Sequence, residues 1–484
     1  MAHLYSRAAL ILSLVAGVPA AALNGGALQI TPVFGSGWKA FEVISVGNAD
    51  PAGSGYALLG SFDGIGAQVV GSSLRIQLNH ETTDASISEL LLDLNNFKTA
   101  INNVVANGSG NVGGVSFVTS SHQAYDRWTA NAGVSWVNTS NNTTTSFYRF
   151  CSGQSYLPNT FGTNRGFVDN IYITGEEGST NRIFALDINN TDLYQLSGVA
   201  GNAPGGLGGI PFDSYENAAL IDTGENNHVA LILSPDGGTQ TLALYVGQKG
   251  KDAAGNASNS FLARNGLAYG SYYYLNSSIP GSVGATINGG TFDTTLPGAF
   301  TSDKIEDVDT NPNIPDHFVM CDQTSGVFTF DLNLDFSGGT FNAGSSNYSV
   351  TMIGAQGIDV LGTLNNADNV DWTAATVLNG TPYANGLIFV NEDDNSGEIW
   401  MMNPDGSNKL SIAYTNASTE SSGILDISLL LGYQPGSILL TDNQGSTASL
   451  SVLINPNATL VPEPTSLALL GLGGLMIARR RRKN

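Results

Sequence analysis

Apolar residues in this chain come in short runs, each closed by Gly, Asn, Asp or Pro, and this spacing predicts many short β-strands. Leu74 to Leu78, Ile171 to Ile173, Val229 to Leu233, Leu242 to Val246, Val327 to Leu332 and Leu387 to Val390 are such runs. One stretch breaks the pattern. Ile87, Leu90, Leu91 and Leu94 recur at helical spacing after Ser86 or Ser88, which predicts a short helix opening between Asp84 and Asn102. A weak internal echo narrows the architecture: Arg182 to Asp187, Gly326 to Asp331 and Glu398 to Asn403 share one pattern, a strand ending in Asp or Asn. Their ends lie 144 and 72 residues apart, so a unit of 72 fits about six times into the chain once its ends are set aside. The expected fold class is all-β, a β-propeller of six four-stranded blades with insertions; a β-sandwich or β-helix is the alternative.

The two ends read as export signals. Arg7 precedes an apolar core from Ala8 to Val18, and Pro19 to Ala22 offers small residues for cleavage, so residues 1–22 are expected to be a signal peptide. At the other end Pro462, Glu463 and Pro464 lead into the apolar stretch Thr465 to Ala478 and then Arg479-Arg480-Arg481-Arg482-Lys483. The fourteen residues of that stretch would make a helix of roughly 21 Å, shorter than the ~30 Å hydrocarbon core, which suits a short anchor that inserts transiently. This order resembles the PEP-CTERM sorting signal of Gram-negative bacteria. The resemblance implies an exosortase-type sorting protease as partner, cutting near Pro462 to Pro464 and leaving the protein at the cell surface or outside it. Residues 23–460 would then be the β-propeller body and 461–484 the sorting signal.

Charge removes one class of function. Arg7 and the five tail cations are six of the 18 Lys and Arg, and Glu463 is one of the 40 Asp and Glu, so the body carries 12 against 39, a net charge of −27. Such a field repels nucleic acid and favours divalent cations. Cys151 and Cys321, the only two cysteines, are compatible with one disulfide in an oxidising compartment or with a thiolate ligand at Cys151. The five histidines show no zinc spacing, and no Ser-His-Asp motif or phosphate-binding Gly loop occurs.

Chemistry is expected from four clusters: Asn79-His80-Glu81-Thr82; Phe150-Cys151-Ser152-Gly153-Gln154 running through to Gly175-Glu176-Glu177; Asp213 to Ala219 around Glu216; and Glu306-Asp307-Val308-Asp309-Thr310-Asn311. In this order, across roughly residues 75 to 405, they resemble the PhoX-type alkaline phosphatases, secreted bacterial propellers. The resemblance implies phosphomonoester hydrolysis at an iron pair completed by calcium. It assigns Cys151, Glu177 and Glu216 to iron and Glu81 and Glu306 to calcium. Asp307, Asp309 and Asn311 alternate as oxygen donors, and Asp393, Asp394, Asn395 and Glu398 surround Gly397 in a second polar loop; both suit calcium. Three positions depart from the family pattern: Gln154 replaces the second Gly of the Cys motif, Asn159 to Thr163 lacks the Pro-Trp pair, and Gly175 stands where Cys is usual. Arg149, Arg165 and Arg264 are the candidates for a phosphate-holding arginine. The expected function is an intact or degenerate metal-dependent phosphomonoesterase acting on a phosphate ester. The alternative is a non-catalytic propeller that binds a surface or an extracellular matrix such as exopolysaccharide.

Overall fold

The computed structural model describes residues 28–461 except 131–134, 140–146, 179–180, 199–200, 203–205, 238–239, 297, 299, 358–361 and 417–418. The signal peptide and the processing residues Pro462, Glu463 and Pro464, with the apolar tail, lie outside the described residues.

Within them the chain is predominantly β, arranged as discrete antiparallel meanders in a propeller-like architecture. Each meander runs outward from a first strand to a fourth. Phe62–Val70, Ser73–His80, Ser86–Asp93 and Val118–Gln123 form one. Phe150–Tyr156, Ile171–Glu176, Arg182–Asp187 and Asp192–Gln195 form the next, extended by two further strands. The meander beginning at Tyr215–Ile221 and the one beginning at Ile305–Thr310 are joined edge to edge through the long strand Thr286–Asp293. Another begins at Ala367–Trp372. The last consists of Ser421–Asp426, Ile438–Asn443, Ser449–Ile454 and, as its outer strand, Lys39–Ser45 from the other end of the chain.

The first strands close a circle. Phe62–Val70 packs on Phe150–Tyr156, that strand on Tyr215–Ile221, and so on through Ile305–Thr310, Ala367–Trp372 and Ser421–Asp426 back to Phe62–Val70. Apolar layers fill the wedges between neighbours. One unites Phe41, Ile65, Leu78, Leu90 and Leu440 and so fastens the closing sheet to the 62–123 meander. With Phe41 on Lys39–Ser45, loss of that outer strand would uncover the layer on which the closure rests.

The three echoing segments all occupy the third place in their meanders. The spacing between them is uneven, however, because another meander whose third strand is Ala243–Gln248 lies between the first two. The helix is displaced from its expected start. Ser86–Asp93 is a strand, and the helix spans Leu94–Asn107, capped by Asp93, whose carboxylate accepts from Asn96 N at 2.8 Å. The reason is tertiary: Ser86–Asp93 pairs with strands on both sides and is buried on both faces, Ile87 in one layer and Leu90 and Leu92 in another. An apolar run buried on both faces loses the alternation that distinguishes strand from helix. Helical burial begins only with Phe97, Ala100, Ile101 and Val104.

Candidate metal centre

The same irregularity recurs at the start of every first strand. Pairing to the second strand slips by one residue between Phe62 and Ile65, Phe150 and Gly153, Tyr215 and Asn217, Ile305 and Val308, Ala367 and Val370, and Ser421 and Ile424. Such a bulge frees a residue from the ladder and re-aims its side chain. The residues freed in this way include Asp63, Cys151, Glu216, Glu306, Asp368 and Ser422, each second in its strand.

A second tier comes from the residue that follows each second strand: Glu81, Glu177, Asp236, Gln323, Asp393 and Gln444. Arg149, Lys304 and Glu420, each just ahead of a first strand, add a third. All of these except Ser422 line one cavity of about 300 Å³. It holds nine carboxylates and one thiol against two cations. Asp63, Cys151 and Glu216 offer ligand atoms within 4.8 Å of one another, as do Glu81, Cys151 and Glu177, and Glu216, Glu306 and Asp368. Cys151 belongs to the first two groups and Glu216 to the first and third, so the three groups form one continuous cluster.

Hydrogen bonds set the geometry. Glu216 Oε1 accepts from Ser152 N at 2.9 Å and from Ser152 Oγ at 2.5 Å. Asn369 Nδ2 donates to Ser152 Oγ at 2.6 Å and to Asp63 Oδ1 at 3.2 Å. Arg149 Nη1 lies 3.0 Å from Glu177 Oε2 and its Nε 3.6 Å from Glu81 Oε1, while Cys151 Sγ lies 3.8 Å from Glu177 Oε2. Lys304 Nζ sits between Asp236 at 2.8 Å and Glu306 at 3.0 Å. Close strand contact is part of the construction. A Cβ on Gly175 would lie 1.8 Å from the Tyr215 carbonyl oxygen, so the Cys usual there in the PhoX-type pattern has no room in this chain. Gly175→Ala is therefore expected to cost about 1–3 kcal/mol through forced backbone shifts, read as a lower denaturant midpoint at unchanged m.

The electrostatics are those of carboxylates crowded away from water. Burial, then the Glu216 and Glu177 charges, push Glu81 up to about 8 despite Arg149. Burial and Asp236 push Glu216 up to about 7 against the Ser152 hydrogen bonds. Burial raises Asp63, Glu306, Asp368 and the Cys151 thiol well above their ordinary values, with neighbouring carboxylates adding to each. Burial works against the charge of Lys304, yet Glu306 and Asp236 more than offset it, and its pKa rises. Asp236 Oδ1 is buried without a hydrogen-bond partner among the described residues. Two basic side chains cannot balance nine carboxylates, and an unpartnered buried carboxylate oxygen is costly. This donor set, mainly hard oxygens with one sulfur, fits metal cations.

Five of the six residues expected to bind metal are brought together: Glu81, Cys151, Glu177, Glu216 and Glu306. Asp307 points elsewhere. Its carboxylate accepts from Asn217 Nδ2 at 2.7 Å and from the backbone of Val308 and Val370, tying one first strand to the next. Both cysteines are free and buried. Of the three candidate arginines only Arg149 reaches the cavity; Arg165 pairs with Asp222, and Arg264 with Asp169 at 2.6 Å. Gln154 turns away, with Tyr156 and Asp309 as its partners. Sequence reasoning missed Asp63, Asp236, Asp368 and Glu420 and the cation Lys304. The usable signal was positional, a polar residue recurring second in each first strand and just after each second strand.

A family model for the PEP-CTERM protein-sorting motif matches residues 460–483. The motif supports export to the cell surface and implies processing by an exosortase-type enzyme. No curated protein matches the chain. Among solved structures, that of Pseudomonas fluorescens PhoX in complex with vanadate, a transition state analogue, is similar at a TM-score of 0.56 and 12% identity, over 89% of this chain and 97% of that one. At that identity the likeness shows a shared fold. The structure of the Dos1 propeller is similar at a TM-score of only 0.30 and 7% identity, over 81% of this chain and 67% of that one.

Proposed function

We propose that this is an exported, metal-dependent phosphomonoesterase whose body, residues 23–460, is a six-bladed propeller built around the axial cluster. The observation that carries this reading is the convergence of one thiol and nine carboxylates on a cavity that also holds Arg149 and Lys304. Cys151, Glu177 and Glu216 would hold iron; Glu81 and Glu306, with Asp63 and Asp368 beside them, would complete the set with iron or calcium. Metal ions held by these residues would supply polarisation of a phosphate ester and an offset to the charge developing on it.

The chain's own residues do the remainder. Ser152 and Asn369 fix the orientation of Glu216 and Asp63. Arg149 and Lys304, the two basic side chains of the cavity, would receive phosphate oxygens. The substitution at Gln154 lies off the cavity and leaves this arrangement intact. A second reading, a non-catalytic propeller binding a surface or matrix, draws on the same ion pairs: Arg149 and Lys304 are already engaged, and the cavity would then serve structural cations alone. Metal analysis and hydrolysis of a small aryl phosphate separate the two. About two irons per chain with turnover supports the enzyme; calcium alone without turnover supports the binder.

The sorting tail makes its own prediction. Replacing Pro462, Glu463 and Pro464 by alanine should leave export intact and abolish tail processing, because secretion reads residues 1–22 and the protease reads the motif. Mass spectrometry of the surface protein decides it: an identical C-terminus in mutant and wild type would make the tail a plain anchor.

A further inference from the structure

We propose that the end of the body opposite the cavity is the face on which the unprocessed protein rests on a membrane, so that the cavity opens away from the bilayer. This rests on reading residues 461–484 as an inserted sorting tail.

The first observation is how the last described residues are held. Leu460 bridges to Tyr433, Gln434 N donates to Thr459 O at 2.8 Å, and Val461 N donates to Gly432 O at 2.9 Å. The body is therefore pinned down as far as Val461, the residue before Pro462. Four Cα steps from Val461 to Thr465, where the apolar segment begins, span at most about 15 Å. The headgroup layer is roughly 5–8 Å deep on each side. If Thr465 onward is inserted, the surface around Val461 has to lie at the headgroups.

The second observation is the chemistry of that surface. A groove of about 530 Å³ runs beside the exit point, lined by residues that include Lys39, Asn102, Val105, Tyr433, Ile454 and Leu460. No Asp or Glu among the described residues lines it, although the body as a whole has more than three acidic residues for each basic one. Val105, Leu429, Leu460 and Val461 expose 46%, 58%, 64% and 39% of their surface. A largely apolar patch free of carboxylates, with one Lys and one Tyr in its lining, suits the headgroup boundary. Elsewhere the acidic body would be repelled by anionic lipid.

The third observation fixes orientation. First strands start at the cavity and second strands end there, so third strands run away from it. Ser449–Ile454 ends at Ile454, opposite Lys39 where the closing strand begins, and both residues line the groove. Six strand residues put roughly 17 Å between the two ends. A tether at this end turns the cavity towards dissolved solutes rather than lipid headgroups.

The test uses the full chain in vesicles of phosphatidylethanolamine and phosphatidylglycerol containing nitroxide-labelled lipid. Val105→Cys, or Asn102→Cys if the first folds poorly, places a fluorophore at the groove, and Asn395→Cys places one on the cavity side. The unsubstituted chain, with both cysteines buried, supplies the background. Groove labels should be quenched several-fold more than the label at position 395. Equal or reversed quenching in protein that floats with the vesicles overturns the orientation and leaves the tail reading standing. Protein that fails to float overturns both.

Discussion

Cys151→Ala and Glu216→Gln should each remove nearly all phosphomonoesterase activity, at least about 100-fold in kcat, and the double mutant should be little worse than either single mutant. The geometry makes this expectation specific. Cys151 offers its sulfur to two ligand groups and Glu216 its carboxylate to two, and the pair share the group completed by Asp63. Removing either one breaks two of the three linked groups, so the second removal disrupts only the one that remains. Glu177→Gln should follow the same pattern through the 3.8 Å contact between its carboxylate and the thiol. Asp307→Asn is the useful contrast: its carboxylate bonds the backbone of a neighbouring strand outside the cavity, so its effect should fall on stability rather than on metal content. Activity, metal stoichiometry and denaturant midpoint measured on the four single mutants and the double mutant separate these outcomes. Full activity in Cys151→Ala, or no hydrolysis by metal-loaded wild type, would leave the non-catalytic propeller as the better account.

Much of the architecture was legible because strand patterning is local. Runs such as Val229 to Leu233 are bounded by turn residues, and the echo among three segments reflected a true equivalence, since each is a third strand. Legibility failed where burial was two-sided, as at Ile87 to Leu92, which lost its alternation. In the site, Cys151, Glu81 and Glu177 stood out because they sit in distinctive local strings. Asp63, in Phe62-Asp63-Gly64, and Asp368, in Ala367-Asp368-Asn369, do not; in a body with 39 acidic residues nothing local distinguishes them. What distinguishes them is the bulge, which depends on register with a partner strand. Lys304 was invisible for the same reason. Its partner Glu306 is two residues away, but Asp236 belongs to the preceding meander and meets it only where neighbouring first strands pack.

Metal removal should destabilise the protein at neutral pH and reverse the sign of its pH dependence. In the cation-free chain, burial and mutual repulsion raise Glu81 to about 8, Glu216 to about 7 and, with Asp393 against it, Glu420 to about 10. Each binds its proton more tightly folded than unfolded, where about 4.3 is ordinary. Between these values the folded chain holds more protons, so stability is full below about pH 4 and drains away as the pH rises towards 8 to 10. Bound cations would replace those protons. They also bind more tightly as the carboxyls and thiol ionise, so the loaded protein should gain stability over the same range. The expected result is a melting temperature for chelated protein that falls by roughly 5–10 °C from pH 5 to pH 8, with a comparable rise at pH 8 when iron or calcium is restored. Calorimetry with and without chelator at the two pH values measures it. Chelated protein that melts at the same temperature at both, and does not respond to added metal, would mean that the nine carboxylates are balanced without cations, and the metal centre would have to be abandoned.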